Sequence, residues 1–139
     1  MSPEKMATLH AACFSVPRPW SSKEFSELLE NPSVFSCASG AGFILGRVIA
    51  DEAELLTLAV APDQRRRGIG QMLLTQYEAC ATQRNARVSF LEVAANNRAA
   101  IALYRTARYR ESGRRKGYYC APDGQKTDAL LFSKPLKPV

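Results

Sequence analysis

Arg65-Arg66-Arg67-Gly68-Ile69-Gly70, followed at once by the amphipathic run QMLLTQYEACA at 71–81, decides how this chain folds. Two glycines ahead of a helix let backbone N–H groups close on a phosphate with no Cβ in the way, and the helix N-terminus adds favourable partial charge. Arg65, Arg66, Arg67, Gly68, Ile69, Gly70 and Gln71 therefore read as a pyrophosphate cradle, its arginines complementing an anion with more than one phosphate. A strand-like stretch at 53–60 precedes the cradle, and a second at 88–93 follows its helix and carries Glu92. Strand, helix, strand implies a parallel crossover.

Upstream, Met6, Leu9 and Cys13 fall at helical spacing within 3–13, and a loop with Pro17, Pro19 and Trp20 follows. Ser21-x-x-Glu24 has capping-box spacing, Phe25, Leu28 and Leu29 keep one helical face, and Asn31-Pro32 stops that helix. Residues 34–38 and 43–50 predict antiparallel strands joined through Gly40-Ala41-Gly42, and Asp51-Glu52 turns into 53–60 to complete a meander. Downstream, Val88, Phe90, Leu91 and Val93 suit a strand covered on both faces. Asn96-Asn97 can cap a helix running through Ile101, Tyr104 and Ala107. A stretch at 117–120, a Pro122-Asp123-Gly124 turn and a strand at 128–133 close the chain, with the last six residues expected as a loose tail.

A length of 139 residues predicts one domain over 1–139, able to bury a core without staples. Hydrophobic content of 46% with 23% charged residues is ordinary globular composition, no apolar run approaches a membrane span, and no secretory signal opens the sequence, so a soluble cytoplasmic protein is expected. Cys13, Cys37, Cys80 and Cys120 form no CxxC pair and the single histidine, His10, has no ligand-spaced partner, so no metal is expected. Cys80 reads as a small hydrophobe without a base partner, and His10 as a surface or boundary residue of the first helix. The net charge of +6 and the clusters at 65–67 and 114–116 raise nucleic-acid binding as a possibility. The cradle accounts better for the first cluster, and the aromatic interleaving of single-strand binders is absent there.

With RRRGIG between a strand and a helix, FLEV at 90–93 and NNRAAIALY at 96–104, the chain resembles the GNAT superfamily of acetyl-CoA-dependent N-acetyltransferases over about residues 43–133. Within it, PWSSKEF at 19–25, LLTLAVAPDQRRRGIGQMLL at 55–74 and GRRKGYY at 113–119 are similar to the RimI-like enzymes, which acetylate the N-terminal alanine of a small-subunit ribosomal protein. The resemblance implies an α/β (α+β) fold: a mixed, mostly antiparallel central sheet, helices on both faces, and a splayed parallel strand pair that binds the cofactor. It implies that 65–70 wraps the pyrophosphate of coenzyme A, that the backbone of Leu58, Ala59 and Val60 hydrogen-bonds the pantetheine arm, and that Asn97 also touches the cofactor. Glu92 matches the family's general base and Tyr104 its general acid in a direct transfer through a ternary complex, and Tyr118 and Tyr119 match the segment lining the acceptor pocket.

The residues by themselves leave plainer roles open. Glu92 could be a strand-end salt bridge to an arginine, Tyr104 a core aromatic, Asn97 a simple cap, and Tyr118 and Tyr119 hairpin packing. A protein N-terminus is the acceptor implied, with a small-molecule amine or a noncatalytic RNA- or ribosome-binding module as alternatives. A dinucleotide-binding domain fits Gly68-Ile69-Gly70 less well, because Leu73 stands where glycine or alanine is wanted and the turn at 61–67 is long. Two departures from the family pattern stand out. The chain opens on a helix where a first strand is usual, so an edge strand is expected to be lacking. Arg108 replaces the glycine after the second crossover helix, so that turn must be one an arginine tolerates or be strained.

Overall fold

The computed structural model describes residues 1–15 and 17–137. Helix α1 (Pro3–Cys13) starts where Ser2 accepts from the Lys5 N–H, with Pro3 at the first helical position, where its missing N–H does no harm. Helix α2 (Ser22–Glu30) opens on the expected capping box, the Ser21 and Glu24 side chains each accepting from the other's backbone N–H. Strands β1 (Val34–Ser39), β2 (Gly42–Ile49) and β3 (Glu52–Val60) form an antiparallel meander. Helix α3 (Ile69–Gln83) then crosses to β4 (Val88–Ala94), which lies parallel to β3. Helix α4 (Arg98–Thr106), β5 (Arg110–Cys120) and β6 (Lys126–Pro135) complete a six-stranded sheet in the order β1-β2-β3-β4-β6-β5. Every strand contact except β3–β4 is antiparallel, and β1 is an edge with no strand preceding α1 among the described residues.

Each face of the sheet has its own core. Leu73, Leu74 and Tyr77 of α3 pack with Leu91, Val93 and Phe132 on one face, whereas Met6 and Phe25 of α1 and α2 pack with Phe43, Leu45 and Ala59 on the other. Under α3, Ser89 is fully buried and sits 2.8 Å from both the Tyr77 and Tyr109 hydroxyls, so these three hydroxyls pair with one another.

Two sequence expectations need correction. Strand β5 starts at Arg110 rather than 117, because its charged, unalternating residues lie on an edge strand solvated along most of its length, where charge discourages further pairing. The expected loose tail is also wrong for residues 134–136: Lys134 and Pro135 belong to β6, and Leu136 is buried while its N–H donates to the Arg87 carbonyl. Pro138 and Val139 lie outside the described residues.

A bulge in β3 positions the site. Leu45 pairs with Thr57 but Gly46 with Leu55, so Leu56 is an extra residue on β3. Ala53 and Leu55 face the α3 core, Leu56 packs on the α1 and α2 side, and Leu58 and Val60 return to the α3 side. Thr57 also bonds a residue of α1, so Leu56 and Thr57 point the same way and the strand alternation is broken there. Parallel pairing with β4 ends at this point, at Glu54 and Phe90.

Helix α4 ends in a Schellman motif. The Tyr109 N–H donates to the Tyr104 carbonyl and the Arg108 N–H to the Arg105 carbonyl, while the Tyr104 and Tyr109 rings meet edge to face at 5.9 Å. Arg108 takes the left-handed position of that motif, φ 73°, so the strained alternative holds. A Cβ in this region costs about 1–2 kcal/mol, partly offset by glycine's freedom in the unfolded chain, so Arg108→Gly is expected to stabilise the protein by roughly 1 kcal/mol. Denaturant melts of the two proteins check this, and an unchanged or lower midpoint would contradict it.

Candidate active site

Beyond Glu54 and Phe90, β3 and β4 splay apart, and neither strand's facing backbone edge is paired with the other there. Such an edge carries N–H and C=O groups able to take up an amide-bearing ligand as an added strand. The wedge opens into a cleft of about 310 Å³ lined by β3 from Glu54 to Leu58, by Glu92, Val93 and Ala94 of β4, and by Asn97 and Tyr104. Tyr118 and Tyr119 line the same cleft. Of the three β3 residues expected to meet a pantetheine arm, Leu58 lines the cleft. Ala59 is buried on the α1 and α2 side, and the Val60 carbonyl already accepts from Arg65 Nε at 3.3 Å and Cys13 Sγ at 3.2 Å.

Helix α3 begins at Ile69, two residues earlier than the run 71–81, with Gly68 as its N-cap in the left-handed region at φ 75°. No side chain caps it and its first turn holds no acidic residue, whereas Ser2, Ser21 and Asn97 cap α1, α2 and α4. The first intrahelical bond runs from Met72 N–H to the Gly68 carbonyl, which leaves the N–H groups of Ile69, Gly70 and Gln71 without intrahelical acceptors. A Cβ on Gly70 would lie 3.3 Å from Leu103 Cδ2, so glycine lets α3 approach α4. Arg65, Arg66 and Arg67 are all exposed at this end, and Arg66 itself has φ 65°. Unpaired N–H groups, a left-handed glycine and three cations form a donor set that fits a diphosphate.

Glu92 keeps both of its open roles. Its Oε1 lies 3.1 Å from Arg115 Nε, a solvent-facing ion pair, and its carboxylate lines the cleft. Tyr104 is buried, its ring packed on Tyr109, and burial pushes its phenol above the ordinary tyrosine range, so it stays protonated at neutral pH. The Asn97 Oδ1 accepts from the Ala100 N–H at 3.2 Å, so its capping role is realised on the cleft wall.

Tyr118 and Tyr119 reach the cleft through a second irregularity. The β5–β6 register slips between Arg115 and Tyr119, where Gly117 turns at φ 59° and its N–H donates to Asp128 Oδ1 at 2.8 Å. That bond, with Arg114 on the other oxygen, holds the Asp128 carboxyl below the usual range. Burial pushes the Tyr119 phenol up to about 12, with the Glu92 charge adding to the effect.

Several lining residues escape the sequence reading. Phe14, Pro17 and Trp20 of the α1–α2 loop form one wall together with His10 of α1. His10 is 1% exposed, so its expected surface or boundary place is wrong. It shares a helical face with buried Met6 and with Phe14, a spacing that could have signalled burial. The Cys37 and Cys80 thiols lie 3.8 Å apart away from this cleft, and among the described residues no three His, Cys, Asp or Glu side chains gather as a metal site would need. Among those residues, too, no helix is long and apolar enough to cross a membrane.

The family model for Acetyltransferase (GNAT) matches residues 4–108, and the chain belongs to that family. It is 36% identical over 122 residues to the ribosomal protein bS18-alanine N-acetyltransferase of Escherichia coli (strain K12), covering 85% of this chain and 82% of the relative. It is 33% identical over 125 residues to the N-alpha-acetyltransferase RimI of Mycobacterium tuberculosis, covering 84% and 77%. The crystal structure of the Escherichia coli ribosomal-protein-S18-alanine N-acetyltransferase shares the fold with a TM-score of 0.83 and 31% identity, covering 96% of this chain and 86% of that one. The chain is thus a RimI-like N-acetyltransferase, and acetyl-CoA, the donor of its family, is its co-substrate.

Proposed function

We propose that this enzyme acetylates the N-terminal α-amine of a protein, of the ribosomal-protein-alanine type, with Glu92 as general base and Tyr104 as general acid. The observation that carries the proposal is that both side chains line one cleft at the splay of β3 and β4. Acetyl-CoA supplies an acetyl thioester. The Ile69, Gly70 and Gln71 N–H groups, with Arg65, Arg66 and Arg67, hold its diphosphate, while the free edge of β3 around Leu58 takes the amide-bearing arm and Asn97 flanks it. Direct nucleic-acid binding is not needed to explain these cations.

An ammonium cannot attack a carbonyl until it loses a proton, and Glu92 accepts that proton, directly or through one water. The amine nitrogen then forms its bond to the acetyl carbon as the carbon–sulfur bond breaks, Tyr104 donates its phenolic proton to the departing sulfur, and the second proton that the nitrogen sheds on becoming an amide restores the phenol by way of solvent. A free α-amine titrates near ~8 against ~10.4 for lysine, so one carboxylate has less to do at a protein N-terminus. The relatives named as alanine N-acetyltransferases support the same acceptor.

Acetyl transfer to short peptides differing only in the first residue, with spermidine and free lysine as controls, tests the reading. An alanine-first peptide is expected to exceed both controls in kcat/KM by at least about 100-fold, the scale of a few specific contacts. Spermidine or lysine as the better acceptor would contradict it.

A further inference from the structure

His10 takes no part in the chemistry above, yet it is built into the cleft wall. Its Nδ1 accepts the Trp20 backbone N–H at 2.9 Å, which assigns the ring proton to Nε2, and Nε2 lies 2.9 Å from Thr57 Oγ1, to which it donates. Phe14, Trp20 and Phe25 pack around the imidazole with ring centroids 4.5, 5.1 and 5.4 Å away. One end of the ring thus holds the loop that leads into α2, and the other holds β3 beside the bulged Leu56.

We propose that His10 is a positioning residue, a neutral strut that pins the wall of Phe14, Pro17 and Trp20 to the bulge of β3 and so sets the acceptor end of the cleft. The inference rests on reading that end as the acceptor site. Desolvation lowers the His10 pKa to about 4, opposed in part by the Glu24 carboxylate of α2. Arg18 of the loop pairs with Glu24, and Glu54 of β3 pairs with Arg47, so neither carboxylate is free to hold an imidazolium. Because the folded ring titrates below its unfolded value of about 6.5, the unfolded chain binds more protons in between. The strut's contribution to stability is therefore complete above about pH 6.5 and is lost as pH falls toward about 4.

Two substitutions separate the ends of the strut. Asn places its Oδ1 near the Nδ1 position and can still accept from Trp20, whereas Gln reaches the Nε2 position and keeps only Thr57. With an alanine-first hexapeptide as acceptor, His10→Gln, which releases the loop, and His10→Asn, which releases β3, are each expected to raise the acceptor KM by about 10-fold, one lost anchoring hydrogen bond. The KM for acetyl-CoA is expected to change by less than about twofold in both. A parent-like acceptor KM in either variant, or parallel rises in both KM values, would overturn the proposal.

Trp20 is the chain's single tryptophan, which gives a second test on the parent protein that needs neither a folded variant nor a competent acceptor. Its emission is expected to drop as the stacked imidazole protonates, with a midpoint near pH 4. A midpoint near 6.5, the value of an unperturbed histidine, or no step at all would overturn the strut irrespective of which amine is acetylated.

Discussion

Glu92→Gln is expected to lower kcat by about 100- to 10,000-fold, the range that positioned general bases supply. Gln keeps the size of the side chain and loses the proton acceptor, so the KM for acetyl-CoA is expected to move by less than about twofold. Stability gives the control. The pair with Arg115 is solvent-facing, with the Glu92 side chain 30% and the Arg115 side chain 55% exposed, and exposed pairs contribute about 0–1 kcal/mol. The melting temperature should therefore stay nearly unchanged while turnover collapses. Steady-state kinetics beside a thermal melt decide the matter, and parent-like turnover would show that Glu92 is only an ion-pair partner.

Gly70→Asp is expected to weaken coenzyme A binding by at least about 100-fold. A carboxylate in the first turn of α3 would face the bound diphosphate, and one like-charge contact near 4 Å at a protein surface amounts to about 4 kcal/mol. The same carboxylate in the empty protein sits at the positive end of a helix, where it is favourable by about 0.3–1 kcal/mol. The added Cβ needs Leu103 to give by a few tenths of an ångström, because it would stand 3.3 Å from Leu103 Cδ2. Affinity should thus fall far more than stability. Calorimetry with coenzyme A measures it, and unchanged affinity would exclude α3 as the diphosphate holder.

The parts of the fold written in local signals are legible in the sequence. Gly68 and Gly70 ahead of an amphipathic run, Ser21 and Glu24 at capping spacing, and Asn97 before Ile101 each act within a few residues, and each matches an element boundary to within about two positions. The bulge was harder to see, although its trace is present. Leu55 and Leu56 are adjacent apolar residues just ahead of the Leu56–Thr57 step at which the alternation breaks, and the apolar run Leu58-Ala59-Val60 beyond it hides the period of two. Strand β5 carried no pattern to read, because an edge strand with charge along it has no buried face to impose a period of two.

The site divides in the same way. Glu92, Asn97, Tyr104, Tyr118 and Tyr119 could be nominated from motifs, and they meet in one cleft. His10 could not, because the helical spacing with Met6 and Phe14 signals burial at most, while its partners Thr57 and Trp20 are brought to it by the tertiary fold. The Arg115 contact with Glu92 likewise depends on β5 folding back across β6 to reach β4. Long-range pairing of this kind leaves no spacing in the chain to count.

In the proposed reading the acetyl donor sits beside Glu92, between the uncapped start of α3 and the splayed edge of β3, and a crystal structure of the enzyme with acetyl-CoA checks that placement. The expected result is diphosphate oxygens within hydrogen-bonding distance of the Ile69 and Gly70 N–H groups, with the thioester lying between β3 and β4 on the cleft that Glu92 and Tyr104 line. A donor bound elsewhere, or a thioester beyond the reach of both side chains, would contradict the account.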